Sequence, residues 1–149
     1  MNPMEARAAL DGVDAAQREL ALKATNCPPW RHAAFGAIMA TLVFSQGVAM
    51  PLQSVLFVAA MLAVVLLVLD DRRRYGMFVN GYRKGKTLPV SLALLGAMLA
   101  TMVGEIHART AGLSLATKLG LAAIAFVVAV AASVAWNRIY RAELMRGTA

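Results

Sequence analysis

The sequence predicts an all-α, polytopic integral membrane protein with four transmembrane helices and an N-terminal cytoplasmic amphipathic helix. Three observations predict it. Of the 149 residues, 60% are hydrophobic and only 15% charged, against about 45–50% apolar and about 25% charged in a soluble domain. A chain this short has too little interior to hide that excess from water. The apolar residues gather into four runs, each near the length of about 20 residues that crosses a bilayer core as a helix. The basic residues fall between those runs in an alternating pattern that the positive-inside rule explains.

Residues 1–30 form the N-terminal helix and its linker. Asn2 is an N-cap residue and Pro3 suits the first helical position. Ala6, Ala9, Leu10, Val13, Ala16 and Leu20 recur at three- and four-residue steps and share a face. That stripe is mostly alanine, so its grip on lipid or on a partner is modest. The helix ends between Thr25 and Pro29, because proline cannot continue it. Cys27 is the one cysteine; it forms no intrachain disulfide and has no local base, so it reads as an idle thiol. The first apolar run begins near Ala33, too late for a secretory signal, so no cleavage is expected.

The bundle occupies residues 31–137, with spans over 31–49, 51–69, 88–107 and 113–136. Gly47 and Pro51 allow a tight turn between the first two. A re-entrant hairpin is the alternative for that pair, but non-helical backbone at membrane depth is costly. Charges then orient the spans. Arg7, Arg18, Lys23 and Arg31 precede the first, and no charge separates it from the second. Arg72, Arg73, Arg74, Arg83, Lys84 and Lys86 lie between the second and third, only Arg109 and Lys118 flank the next turn, and Arg138, Arg141 and Arg146 follow the fourth. Both termini are therefore expected in the cytoplasm, and a bacterial inner membrane fits best. The net charge of +7 is accounted for by orientation, so no nucleic-acid partner is expected. Residues 138–149 read as a basic cytoplasmic tail.

The basic loop 70–87 ends in Gly85-Lys86-Thr87, the tail of a P-loop. The motif needs a glycine five residues before Gly85, and Asn80 stands there instead. The span before it is also a membrane helix rather than a buried strand, so nucleotide hydrolysis is excluded. Cations at a helix C-terminus are favoured by its dipole and by anionic headgroups. Arg72, Arg73, Arg74, Tyr82, Arg83, Lys84 and Lys86 are thus candidate contacts for lipid headgroups. The loop reads first as a topology anchor, and second as a site for a phosphate-bearing ligand.

Within the third span, Gly96, Ala100 and Gly104 recur every four residues. This spacing lets helix backbones approach closely, which drives association where lipid removes the hydrophobic advantage. Ala122, Ala125, Ala129, Ala132 and Ser133 do likewise in the fourth span, and Gly36 and Ala40 in the first. Packing within the bundle is the expected use of these faces, with some left over for a partner. Glu105 and His107 are candidate proton-linked groups, since ionisable residues within a bilayer are costly. Their position near the end of the third span favours an external cap, or an ion pair of Glu105 with Arg109 four residues on.

His32 and His107 fall at opposite ends of the bundle and cannot share a metal ion or haem, so no metal site or cofactor is expected. No Ser-His-Asp set or pair of intramembrane carboxylates is evident, and no enzyme is expected. In size and basic tail the chain resembles holins in a general way. It departs from small multidrug transporters, which have a carboxylate inside their first helix, because Ala33–Met50 has none. The function expected is that of a non-catalytic membrane protein acting through helix packing, with itself or another membrane protein as partner. The alternative is a small transporter or flippase for an amphipathic or phosphate-bearing substrate.

Overall fold

The computed structural model describes residues 2–25, 27–75 and 86–146. Its elements are α1 (Pro3–Thr25), α2 (Pro29–Gly47), α3 (Leu52–Tyr75), α4 (Leu88–Thr110) and α5 (Leu115–Arg146). No strand occurs among the described residues.

The start of α1 is a reciprocal cap. The Asn2 side chain accepts from the Met4 amide at 3.4 Å, and Glu5 accepts from the Asn2 amide at 3.3 Å. Each acceptor satisfies a donor that the first helical turn leaves open. α1 packs against α5. The described members of its expected apolar stripe, Ala9, Leu10, Val13 and Ala16, are exposed.

Helices α2 to α5 run antiparallel in sequence. α2 turns into α3 over residues 48–51, where the Gln53 amide bonds the Ala49 carbonyl. At the end of α4, Gly112 takes φ +65°, a left-handed conformation that glycine adopts without a Cβ clash. The Leu113 amide then reaches back to the Ala108 carbonyl at 2.8 Å, which closes the helix end. Ser114 begins α5 by accepting from the Thr117 amide at 3.3 Å.

α2 lies at the centre and packs against α3, α4 and α5, while α4 also packs against α5. Val43, Met98, Ala125 and Ala129 form the core, with Phe35, Met39, Leu94, Met102 and Val128 against it. Small residues set the helix spacing. A Cβ on Gly36 would lie 2.5 Å from Val130 Cγ2 and 3.1 Å from the Phe126 ring, so α2 and α5 meet nearly backbone to side chain there. Ala122, Ala125 and Ala129 of α5 are buried, as internal packing of that face requires.

Among the described residues, three helices are long and apolar enough to cross a membrane: Leu52–Arg74, Leu88–Thr110 and Leu115–Glu143. They point to a membrane protein. α2 falls outside that set, where a fourth span was expected, because Arg31 and His32 open it and Ser45 and Gln46 close it. The helices also outrun the expected boundaries. α3 continues through Arg72–Arg74 to Tyr75, so the loop expected from residue 70 begins as helix, and α5 carries the expected tail to Arg146.

Candidate functional site

The two ends of the bundle have different chemistry. At the end where α2 begins, Arg31 of α2 clasps Asp71 of α3. Its Nε donates to Oδ1 at 2.6 Å and its second terminal nitrogen donates to Oδ2. Asp71 is buried and Arg31 half-buried, so this bidentate pair ties α2 to α3 in a shielded place. Arg31 also lies 3.6 Å from Cys27 Sγ. Arg74 donates to Asp70 at 2.7 Å and sits 5.4 Å from the centre of the Trp30 ring. His32 Nδ1 pairs with Ser133 Oγ of α5 at 2.8 Å. Glu143 of α5 accepts from the Lys86 amide at 2.7 Å, which anchors the approach to α4.

Of the expected headgroup contacts, Arg72 and Arg73 are exposed, and the Arg74 side chain is engaged by Asp70 and Trp30. Lys86 is exposed, with its backbone held. Tyr82, Arg83 and Lys84 lie outside the described residues.

The opposite end joins α2, α3, α4 and α5. A directed relay of hydrogen bonds crosses it. Arg109 of α4 donates to Gln53 Oε1 of α3 at 2.7 Å, and Gln53 Nε2 donates to Gln46 Oε1 of α2 at 3.2 Å. Gln46 Nε2 donates to Ser45 Oγ at 3.0 Å, and Ser45 donates to the Leu42 carbonyl at 2.7 Å. Each donor-acceptor step fixes the orientation of the next side chain.

Glu105 of α4 lies beside this relay and takes no part in it. It is fully buried, and neither carboxyl oxygen has a hydrogen-bond partner among the described residues. It faces Gly47, the last residue of α2: a Cβ on Gly47 would lie 2.0 Å from Glu105 Oε2 and 3.4 Å from Lys118 Cδ of α5. The glycine is therefore the condition for the carboxyl to fit. From its place in the sequence Glu105 is expected to be a proton-linked group, an external cap or the ion-pair partner of Arg109. In the fold Glu105 turns inward against α2, while Arg109 turns toward Gln53 of α3.

His107, the other candidate proton-linked residue, is exposed. It is separated from His32 by the length of α2, because Gly47 and Glu105 meet at the far end. His32 to Gly47 spans fifteen residues, roughly 22 Å at about 1.5 Å each. No group of three His, Cys, Asp or Glu side chains able to hold a metal ion occurs among the described residues.

The residues of the α4 strip divide. Gly96 and Ala100 are exposed, and a Cβ on Gly96 would meet nothing within 4 Å. Gly104 is half-buried and faces Leu121 of α5, 3.5 Å from where its Cβ would be.

Ser45, Gln46, Gly47, Gln53 and Lys118 were not singled out from the sequence as site residues. The signal present was a polar Ser45-Gln46-Gly47 trio closing an apolar run, with Gln53 opening the next. No protein-family model, curated protein or solved structure matches the chain.

Proposed function

We propose that this chain is a small non-catalytic membrane protein that crosses the bilayer four times, with α2 as the additional span, and that acts through helix packing. Its α4 face carrying Gly96 and Ala100 receives a helix of a second copy or of another membrane protein. Arg72 and Arg73 contact anionic headgroups on the cytoplasmic side of a bacterial inner membrane, and both termini lie on that side.

The observation that carries this reading is the open space around Gly96. Gly36 lies against Val130 and Phe126, Gly47 against Glu105, and Gly104 against Leu121, whereas Gly96 of α4 and Gly120 of α5 stand open, and of these two Gly96 has Ala100 exposed one turn on. In a bilayer a glycine on a helix surface contributes little unless another backbone comes close. Gly96 and Ala100 present such a surface, with none of the described residues on it. α2 counts as a span because it lies antiparallel between helices that are themselves long enough to cross, and its two ends meet theirs.

The test is Gly96→Ile, read by native mass spectrometry from mild detergent with lipids retained. The expected outcome is loss of the associated species, with unchanged yield and thermal unfolding of the single chain. A second copy in the wild-type spectrum identifies a homo-oligomer, and a second polypeptide identifies an accessory subunit. Identical association in wild type and Gly96→Ile defeats the reading.

A further inference from the structure

We propose that Glu105, packed against Gly47 at the charge-poor end of the bundle, is a proton-binding site that joins α4 to α2. The inference does not depend on whether the Gly96 face binds a partner, and the two fail in different experiments.

Glu105 is fully buried and neither of its oxygens has a hydrogen-bond partner among the described residues. A carboxylate in that position would carry a full charge with nothing to replace its hydration, which is among the most costly arrangements a fold can hold. A carboxylic acid carries no such charge. The contact with Gly47 is so close that even a methyl group would overlap Oε2. That leaves no room for a hydrated cation between the oxygen and α2, whereas a proton needs none.

The neighbouring groups agree. α2 brings no titratable side chain to the site, only Ser45 and Gln46, which are occupied with each other. α3 brings Gln53, which is neutral and bonded to Gln46 and Arg109. On α4 itself, Arg109 is committed to Gln53, and His107 is exposed. α5 brings Lys118, the one cation facing the site among the described residues; its stem lies beside Gly47, but it forms no ion pair with Glu105. The backbone that Glu105 faces directly is the C-terminus of α2 at Gly47, where a helix carries partial negative charge.

Two arrangements follow. With its proton, Glu105 packs on Gly47 and holds α4 against α2. Without it, the carboxylate leaves the glycine for Lys118 or for water, and the contact between α2 and α4 opens. The ligand class is the proton, exchanged at the end of the bundle away from the basic blocks.

The experiment compares wild type with Glu105→Gln, a neutral isostere of the protonated acid, by thermal unfolding in lipid nanodiscs from pH 5 to pH 9. A group that holds its proton only in the folded chain makes the folded state bind more protons than the unfolded one. Stability then falls as pH rises, by up to about tenfold in the unfolding constant per pH unit for one proton. Wild type should therefore lose stability relative to Glu105→Gln as pH rises. Lys118→Met, which removes the facing cation, should extend that fall to higher pH. Dicyclohexylcarbodiimide, an apolar reagent for protonated carboxyls, should label wild type at Glu105 and leave Glu105→Gln unlabelled there. Parallel pH profiles for wild type and Glu105→Gln overturn the proposal. So does stabilisation of wild type over Glu105→Gln by sodium chloride but not choline chloride, which would make the occupant a metal cation.

Discussion

α2 and α3 are neighbours of similar length with opposite uses of their side chains. α3 is the most apolar of the helices long enough to cross a membrane, yet it packs mainly against α2 and leaves Val55, Val58, Leu62, Val65 and Leu66 exposed. The residues it turns inward include Gln53, Leu56, Ala60, Val64, Leu67 and Asp71, three or four apart along one face. α2 carries Arg31 and His32 at one end and Ser45 and Gln46 at the other, yet it touches all three other bundle helices. It buries Gly36, Ile38, Val43, Ser45 and Gly47. Hydropathy therefore ranks helices by how much lipid they meet, whereas small and polar residues mark where helices meet one another. In lipid an apolar side chain gains little by leaving the tails for another helix, so close packing and polar contacts decide the neighbours.

The sharpest way to break this contrast is Gly36→Leu. A Cβ at that position already lies 2.5 Å from Val130 Cγ2 and 3.1 Å from the Phe126 ring, and leucine adds three further carbons. Neither α2 nor α5 can yield without losing contact with the shared core. The expected cost is about 3 kcal/mol or more, at or above the usual range for overpacking. Thermal unfolding in detergent measures it. A variant as stable as wild type would mean that α2 is not the central helix.

Asp71→Ala addresses the polar side of the same contrast. It leaves the half-buried Arg31 without the carboxylate that accepts two of its hydrogen bonds. The expected loss is about 2 kcal/mol, within the range for hydrogen bonds to charged groups and below that for a fully buried pair. The midpoint of thermal unfolding at constant salt measures it. An effect indistinguishable from zero would reduce the Arg31–Asp71 contact to an exposed ion pair.

The same contrast explains what could be read in the sequence. The all-helical class, three of the four expected long apolar helices and the turns joining α2 to α3 and α4 to α5 followed from the apolar runs and from Gly47 and Pro51 between the first two. The Asn2 cap followed from residue type, since a cap is a local contact. The apolar run made α2 an expected fourth span, yet the helix falls short of the other three in hydropathy, because its ends hold polar groups whose partners lie on other helices. Asp71 is forty residues from Arg31, and Ser133 is more than a hundred from His32. Glu105 was visible as an ionisable residue near a span end, but its burial was not. It depends on Gly47 in another helix, and a glycine beside a turn is ambiguous in sequence between flexibility and close approach. The four-residue spacing of Gly96, Ala100 and Gly104 was plain, while its division between an open end and a packed end depends on Leu121 of α5.

The smallest expected effect belongs to the outer face of α3. Leu62 is 60% exposed, and on that face it exchanges lipid contact for lipid contact. Leu62→Ala removes no packed neighbour and opens no cavity, so thermal unfolding in nanodiscs should change by less than about 0.5 kcal/mol, as for surface substitutions in general. Detergent and nanodisc measurements should agree, because neither environment supplies a protein contact to lose. A loss comparable to that of Gly36→Leu would require a protein surface on α3 as well as on α4. The apolar face would then be an interface rather than a lipid boundary, and the contrast with α2 would be one of which chain supplies the neighbour.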